Sequence, residues 1–197
     1  MIALAYEKGM ADYIAWSTMI HGYALAMQNR LEEGIAEIRE GLAVVQMAGA
    51  EVGASMFRAM LLEALVRAGR IEEGLDCFDE ALTIISRTEE SFYEAEIYRL
   101  KGALLLQSAV SDLPSAISEK RVEAETCFQK AIEVARRQQA RSLELRATMS
   151  LARLWREQGK TAEGRQALAE IYGWFTEGLD TSDLQDAEAL LEQLRRE

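Results

Sequence analysis

Few side chains in this chain could do chemistry. There is one histidine, His21, and there are two cysteines, Cys77 and Cys127, among 197 residues. No GxxxxGK[ST], GxGxxG, HExxH or CxxC run is present to cradle a phosphate, hold a metal or activate a nucleophile. His21 stands beside Gly22 and reads first as a structural side chain, with ligand contact or pH sensing as the alternative. The cysteines are expected to be reduced, half-buried thiols, because free Cys packs as a small hydrophobe. The paired carboxylates Glu32–Glu33 and Glu72–Glu73 fall where a helix would begin, so they read as partners of the positive helix terminus rather than as an acid–base pair. No enzyme, cofactor or metal site is expected.

The elements that carry these residues recur. Gly34, Gly74, Ala124 and Gly164 are each followed four residues later by Ile38, Phe78, Phe128 and Leu168, and three after that by Gly41, Ala81, Ala131 and Ile171, a helical spacing. Upstream, Gly22, Leu62, Gly102 and Ala152 are each followed three residues on by Leu25, Leu65, Leu105 and Trp155, with turns at Asn29, Gly69 and Gly159. The unit is therefore a pair of helices with a period of 40, and ten extra residues interrupt the third copy. Repeats are expected over 12–49, 51–87, 92–138 and 142–175, after a remnant at 1–9 of a repeat that began earlier. The first unit has helices near 12–28 and 31–48, and the third near 92–108 and 118–138. Between the latter pair lies AVSDLPSAI with the single proline, Pro114, which indicates a protruding loop. A capping helix follows at 182–196, where Ser182 and Gln185 have capping-box spacing. Small residues at 22, 102 and 152 should let the helices of a unit approach, while Phe78 and Phe128 fill the gap to the next unit.

Composition agrees with an all-α chain. It is 49% hydrophobic and 28% charged, with one proline and no alternating β-branched runs, and it can bury one core over 1–197 as a single domain. No signal peptide or stretch of 18 apolar residues is present, so a cytoplasmic protein is expected. A net charge of −11 opposes nucleic acid and anionic membranes as partners. The apolar start, with Ile2, Leu4, Ala5 and Tyr6 backed by Trp16 and Met19, leaves an uncapped edge, through which a weak homodimer is expected.

The stretches LARLWREQGKTAEGRQAL, LLEALVRAGRIEEGLDCFDEAL and GYALAMQNRLEEGIAEIREGL match, in reduced form, the pattern of tetratricopeptide repeats. The chain resembles that family, departing from it in the 40-residue period, in Gly at 34, 74 and 164, and in lacking the terminal proline. Its AIEVARRQQARSLELRATMSLARLWREQGK and IYGWFTEGLDTSDLQDAEALL segments resemble the C-terminal helical region of large bacterial signalling ATPases, which often also carry a nucleotide-cyclase, kinase or DNA-binding domain. The resemblance implies an α-solenoid of antiparallel helical hairpins whose first helices line a ligand groove. On it, the family's ligand-facing positions are Trp16, Met19, Tyr23 and Met27; then Met56, Glu63 and Arg67; then Glu96, Arg99 and Gln107; then Arg146, Met149, Arg153 and Arg156. Such a groove runs from apolar to basic and would suit a protein or peptide partner with an acidic end. Met19 and Tyr23 stand where the chaperone-binding members carry Lys and Asn, which disfavours chaperone C-termini. The resemblance thus implies a bacterial protein-interaction or scaffold module, the C-terminal regulatory part of a larger signalling protein. Its alternative is a sensor domain that binds a small acidic ligand and regulates an ATPase or cyclase.

Overall fold

The computed structural model describes residues 11–49, 52–109 and 113–196. The expected N-terminal remnant, with Ile2, Leu4, Ala5 and Tyr6 of the proposed dimer edge, lies outside them. The described chain is all-helical: α1 (Ala11–Met27), α2 (Leu31–Met47), α3 (Ala54–Ala68), α4 (Ile71–Thr88), α5 (Glu94–Ser108), α6 (Pro114–Arg137), α7 (Arg141–Glu157), α8 (Thr161–Tyr172) and α9 (Ser182–Arg196). The chain divides into two compact units, residues 1–93 and 94–197.

The turns of the first, second and fourth hairpins and the link from α6 to α7 share one backbone device. Asn29, Gly69, Gln139 and Gly159 are left-handed, with φ of 67°, 67°, 56° and 77°. The next residue then donates back to the helix just ended: Arg30 to the Leu25 carbonyl, Arg70 to Leu65, Ala140 to Ala135 and Lys160 to Trp155, at 2.8 to 3.0 Å. This six-to-one bond satisfies a terminal carbonyl and turns the chain. In the first-turn glutamate pairs, Glu33 and Glu73 are gripped by the residue preceding their own helix, Arg30 and Arg70.

In the first unit, α1 packs on α2, α2 on α3 and α3 on α4, with α1 also touching α3. The α1–α2 pair is antiparallel and unusually close, since Gly22 faces Gly34 while Ala15 and Met19 face Gly41. A methyl group on Gly34 would fall 2.5 Å from the Gly22 carbonyl oxygen, so in this hairpin the small residues are required by backbone approach. Beyond α4 the chain returns to cap α3: the Glu90 carboxylate accepts from the Gly53 N–H at 2.8 Å and from the Ser55 hydroxyl at 2.8 Å, satisfying donors that α3 leaves open.

In the second unit, α5 through α9 pack in sequence, and α7 touches both α5 and α9. Each unit is thus a solenoid-like stack of helical hairpins. Two expectations change here. Phe128 is not only a filler toward the next hairpin: its ring lies on Gly102 of its own hairpin and also joins Leu151 and Leu154 of α7. The insertion is not a loop through Ile117 either, because α6 starts at Pro114. Leu113 is extended (φ −66°, ψ 152°), and proline's preset φ and missing N–H suit the first helical position. Residues 110–112 of the insertion lie outside the described part. The capping helix is where the period places it, burying Leu184, Ala187, Leu190, Leu191 and Leu194 against Leu145, Leu168 and Ile171. Its capping box does not form: helix α9 begins at Ser182, and the Thr181 hydroxyl before it donates to the Gly178 carbonyl.

Both thiols are free and buried. Burial pushes the Cys77 thiol up to about 12, with nearby Arg58 opposing the shift, and moves Cys127 in the same direction. Neither forms the reactive thiolate near neutrality. Iodoacetamide at about pH 8 should therefore leave both unlabelled in the folded protein and alkylate both after denaturation; rapid native labelling of Cys77 would contradict its burial.

Candidate functional site

The faces formed by the first helices of successive hairpins hold most of the sequence-predicted contacts, and the two units use them differently. In the first unit the polar side chains are tied to each other. The Tyr23 hydroxyl on α1 donates to Glu63 of α3 at 2.7 Å, one repeat later, and Glu63 also lies 3.9 Å from Arg67. Trp16 is half-buried between Tyr13 and Phe57, its ring tilted against both with centroids 5.8 and 6.1 Å away. Met27 and Met56 are half-buried. Met19 does not face a ligand: it is fully buried against Gly41, which leaves room for its thioether. Met149 likewise belongs to the core, beside Leu145 and Leu191. His21 is exposed, its Nδ1 2.6 Å from Glu37 on the facing helix.

The second unit gathers arginines. Glu96 on α5 is only 3% exposed, and it is held by two of them. Arg99 grips it with both Nε and Nη2, at 2.9 and 2.6 Å, and Arg146 of α7 adds a contact at 3.0 Å. A bidentate guanidinium–carboxylate pair is the strong form of this bond, so Arg99 and Arg146 have their charge answered within the protein. About two and three turns further along α7 stand Arg153 and Arg156. Arg156 donates from Nη1 to Gln193 of α9 at 2.9 Å, a neutral partner. Among the described residues Arg153 makes no hydrogen bond or ion pair. Although the residue is exposed in area, lost hydration lowers its pKa; Asp186 opposes that shift, whereas the charges of Arg99 and Arg156 add to it.

Sequence reasoning placed Arg99, Arg146, Arg153 and Arg156 on one face, and the structure brings them to the same helices, α5 and α7. It took Glu96 for a ligand-facing position, where the structure buries that carboxylate and uses it to divide the four arginines; Glu96 takes the repeat position that Trp16 and Met56 occupy earlier. It also missed Asp186 and Gln193, supplied by the capping helix. Away from this face a second buried carboxylate, Glu144, is clamped by Arg136 at 2.6 Å and Arg141 at 2.7 Å, and the Arg141 guanidinium lies 5.5 Å from the Trp174 ring. Among the described residues no three His, Cys, Asp or Glu side chains converge as metal ligands, and no helix is long and apolar enough to cross a membrane.

No family model matches the chain. Over 154 residues, 78% of its length, it is 25% identical to an uncharacterized protein of Rhizobium meliloti (strain 1021). The match spans about 14% of that relative's length.

Proposed function

We propose that the chain is a protein-interaction module, and that the arginine face of its second unit receives an acidic stretch of a partner. The observation that carries this reading is the pair Arg153 and Arg156, one without a partner and the other bonded only to a neutral amide. They sit beside Arg99 on a chain whose net charge is −11. Guanidinium groups so placed can take a carboxylate or phosphate without first breaking an internal ion pair, and Gln193 can yield its bond at no cost in charge. A regulatory or scaffold role within a larger signalling protein fits the short share of the long Rhizobium relative that is matched. The rival reading, a sensor for a small acidic ligand, uses the same two arginines.

Both readings meet one experiment. A fluorescein-labelled Glu-rich peptide should bind the wild-type chain with an affinity that falls as salt rises. Arg153→Glu/Arg156→Glu should weaken it about tenfold or more, with the melting temperature within a few degrees because no internal ion pair is lost. Equal affinity for wild type and variant would make the face ordinary solvated surface. If small dicarboxylates or inorganic phosphate raise the melting temperature of the wild type alone and the peptide does not bind, the sensor reading replaces the peptide one.

A further inference from the structure

The first unit carries a groove on its other side, between the second helices α2 and α4, with α3 as its floor. It encloses about 850 Å³. The backbones of α2 and α4 do not pack together; only side chains span the gap, as Arg39 does to reach Glu73. Leu42 of α2 and Phe57 of α3 give the groove apolar lining, continued by Leu61 of α3 in the adjoining hollow. Helix α4 forms an acidic wall of Asp76, Asp79 and Glu80, at the i, i+3, i+4 spacing that puts all three carboxylates on one stripe. Glu80 reaches Arg58 at 3.5 Å. Among the described residues neither the Asp76 nor the Asp79 carboxylate has a hydrogen bond or ion pair, although Arg58 and Arg87 line the same groove. On the floor Arg58 is nearly buried, and its Nε–H is shut from water with no acceptor, an arrangement that native structures rarely leave unmet.

The same place in the second unit carries other side chains. The repeat maps it ninety residues on, and there Arg136, Glu144 and Trp174 replace Gln46, Ala54 and Ile84. The first two, with Arg141, form the buried ion cluster, and the third lies over Arg141. The lining of the groove is therefore particular to the first unit and not a property of the repeat.

We infer that this groove docks an amphipathic helix of a partner protein, with its apolar stripe on Leu42, Phe57 and Leu61 and its Lys or Arg side chains toward Asp76 and Asp79. The wall from Asp76 to Arg87 is about 16 Å long, three turns of a helix, and an apolar channel with one charged edge is how a groove selects an amphipathic helix of opposite charge. This surface is distinct from the arginine face and takes the opposite charge, so either proposal can fail alone.

The test uses the whole chain and a fluorescein-labelled Leu/Lys amphipathic helix of about four turns, with its Leu/Glu counterpart, read by fluorescence anisotropy. The Leu/Lys helix should bind and the Leu/Glu helix should not. Asp76→Asn/Asp79→Asn should weaken binding about five- to tenfold with the fold retained by circular dichroism, since neither carboxylate has an internal partner. Glu170→Gln/Glu188→Gln, which removes two exposed charges from the second unit, should leave binding unchanged. Equal weakening in the two variants would show general attraction to an acidic chain and overturn the docking site. No weakening at Asp76 and Asp79, binding of the Leu/Glu helix as well, or uptake of a small dye with neither helix bound would overturn it too.

Discussion

Phe128→Ala should destabilise the protein by about 3 to 5 kcal/mol, the usual cost of deleting a buried phenyl ring and leaving a cavity. Phe128 is 1% exposed, and its ring rests on Gly102 while meeting Leu105, Leu151 and Leu154. It therefore joins the two helices of one hairpin to the next, and the site cannot collapse without moving three helices. Gly102 has its own part in this, because a methyl group there would meet the ring directly. Gly102→Ala alone should cost about 1 to 3 kcal/mol through overpacking. The double variant Gly102→Ala/Phe128→Ala should cost less than the sum, because the ring that the methyl group strikes is gone. Urea denaturation of the four proteins closes the cycle; strict additivity would mean that ring and glycine do not press on each other.

Arg136→Ala/Arg141→Ala should be equally damaging, about 3 to 5 kcal/mol, because it strands the buried Glu144 carboxylate without a counter-charge. Glu144 is 2% exposed, whereas its arginines are 58% and 38% exposed along their side chains. The asymmetry gives the prediction its sign. Removing the glutamate instead, as Glu144→Ala, leaves two guanidinium groups that water can reach, so it should cost less than the double arginine variant. Each single arginine substitution should fall between wild type and the double variant, at about 1 to 2 kcal/mol, because one charge-assisted bond remains. If Glu144→Ala proves the most damaging of the set, the methylene packing of Glu144 rather than its charge holds the cluster together.

The sequence by itself determined the hairpins. Helix ends and turns are local matters, settled by a 40-residue period of small and large apolar residues and by Asn29, Gly69 and Gly159, which adopt the left-handed turn. Even the start of α6 was legible in principle, since Pro114 favours the first position of a helix as much as it does a loop. The charged residues were legible only as a list. Arg99, Arg146, Arg153 and Arg156 read as four equal cations, yet folding assigns two of them to the buried Glu96 and leaves the other two with nothing or with Gln193. Met19 read as a ligand contact from its register, but Gly41 on the facing helix opens a cavity that swallows it. The groove of the first unit depends likewise on what is absent, a side chain at Gly49 and a large one at Ala54, where the second unit has Gln139 and Glu144. A period in sequence reports which face of a helix is buried. Which carboxylate a guanidinium chooses, and which gap stays open, depends on side chains brought together from forty or fifty residues away, and only tertiary structure decides that.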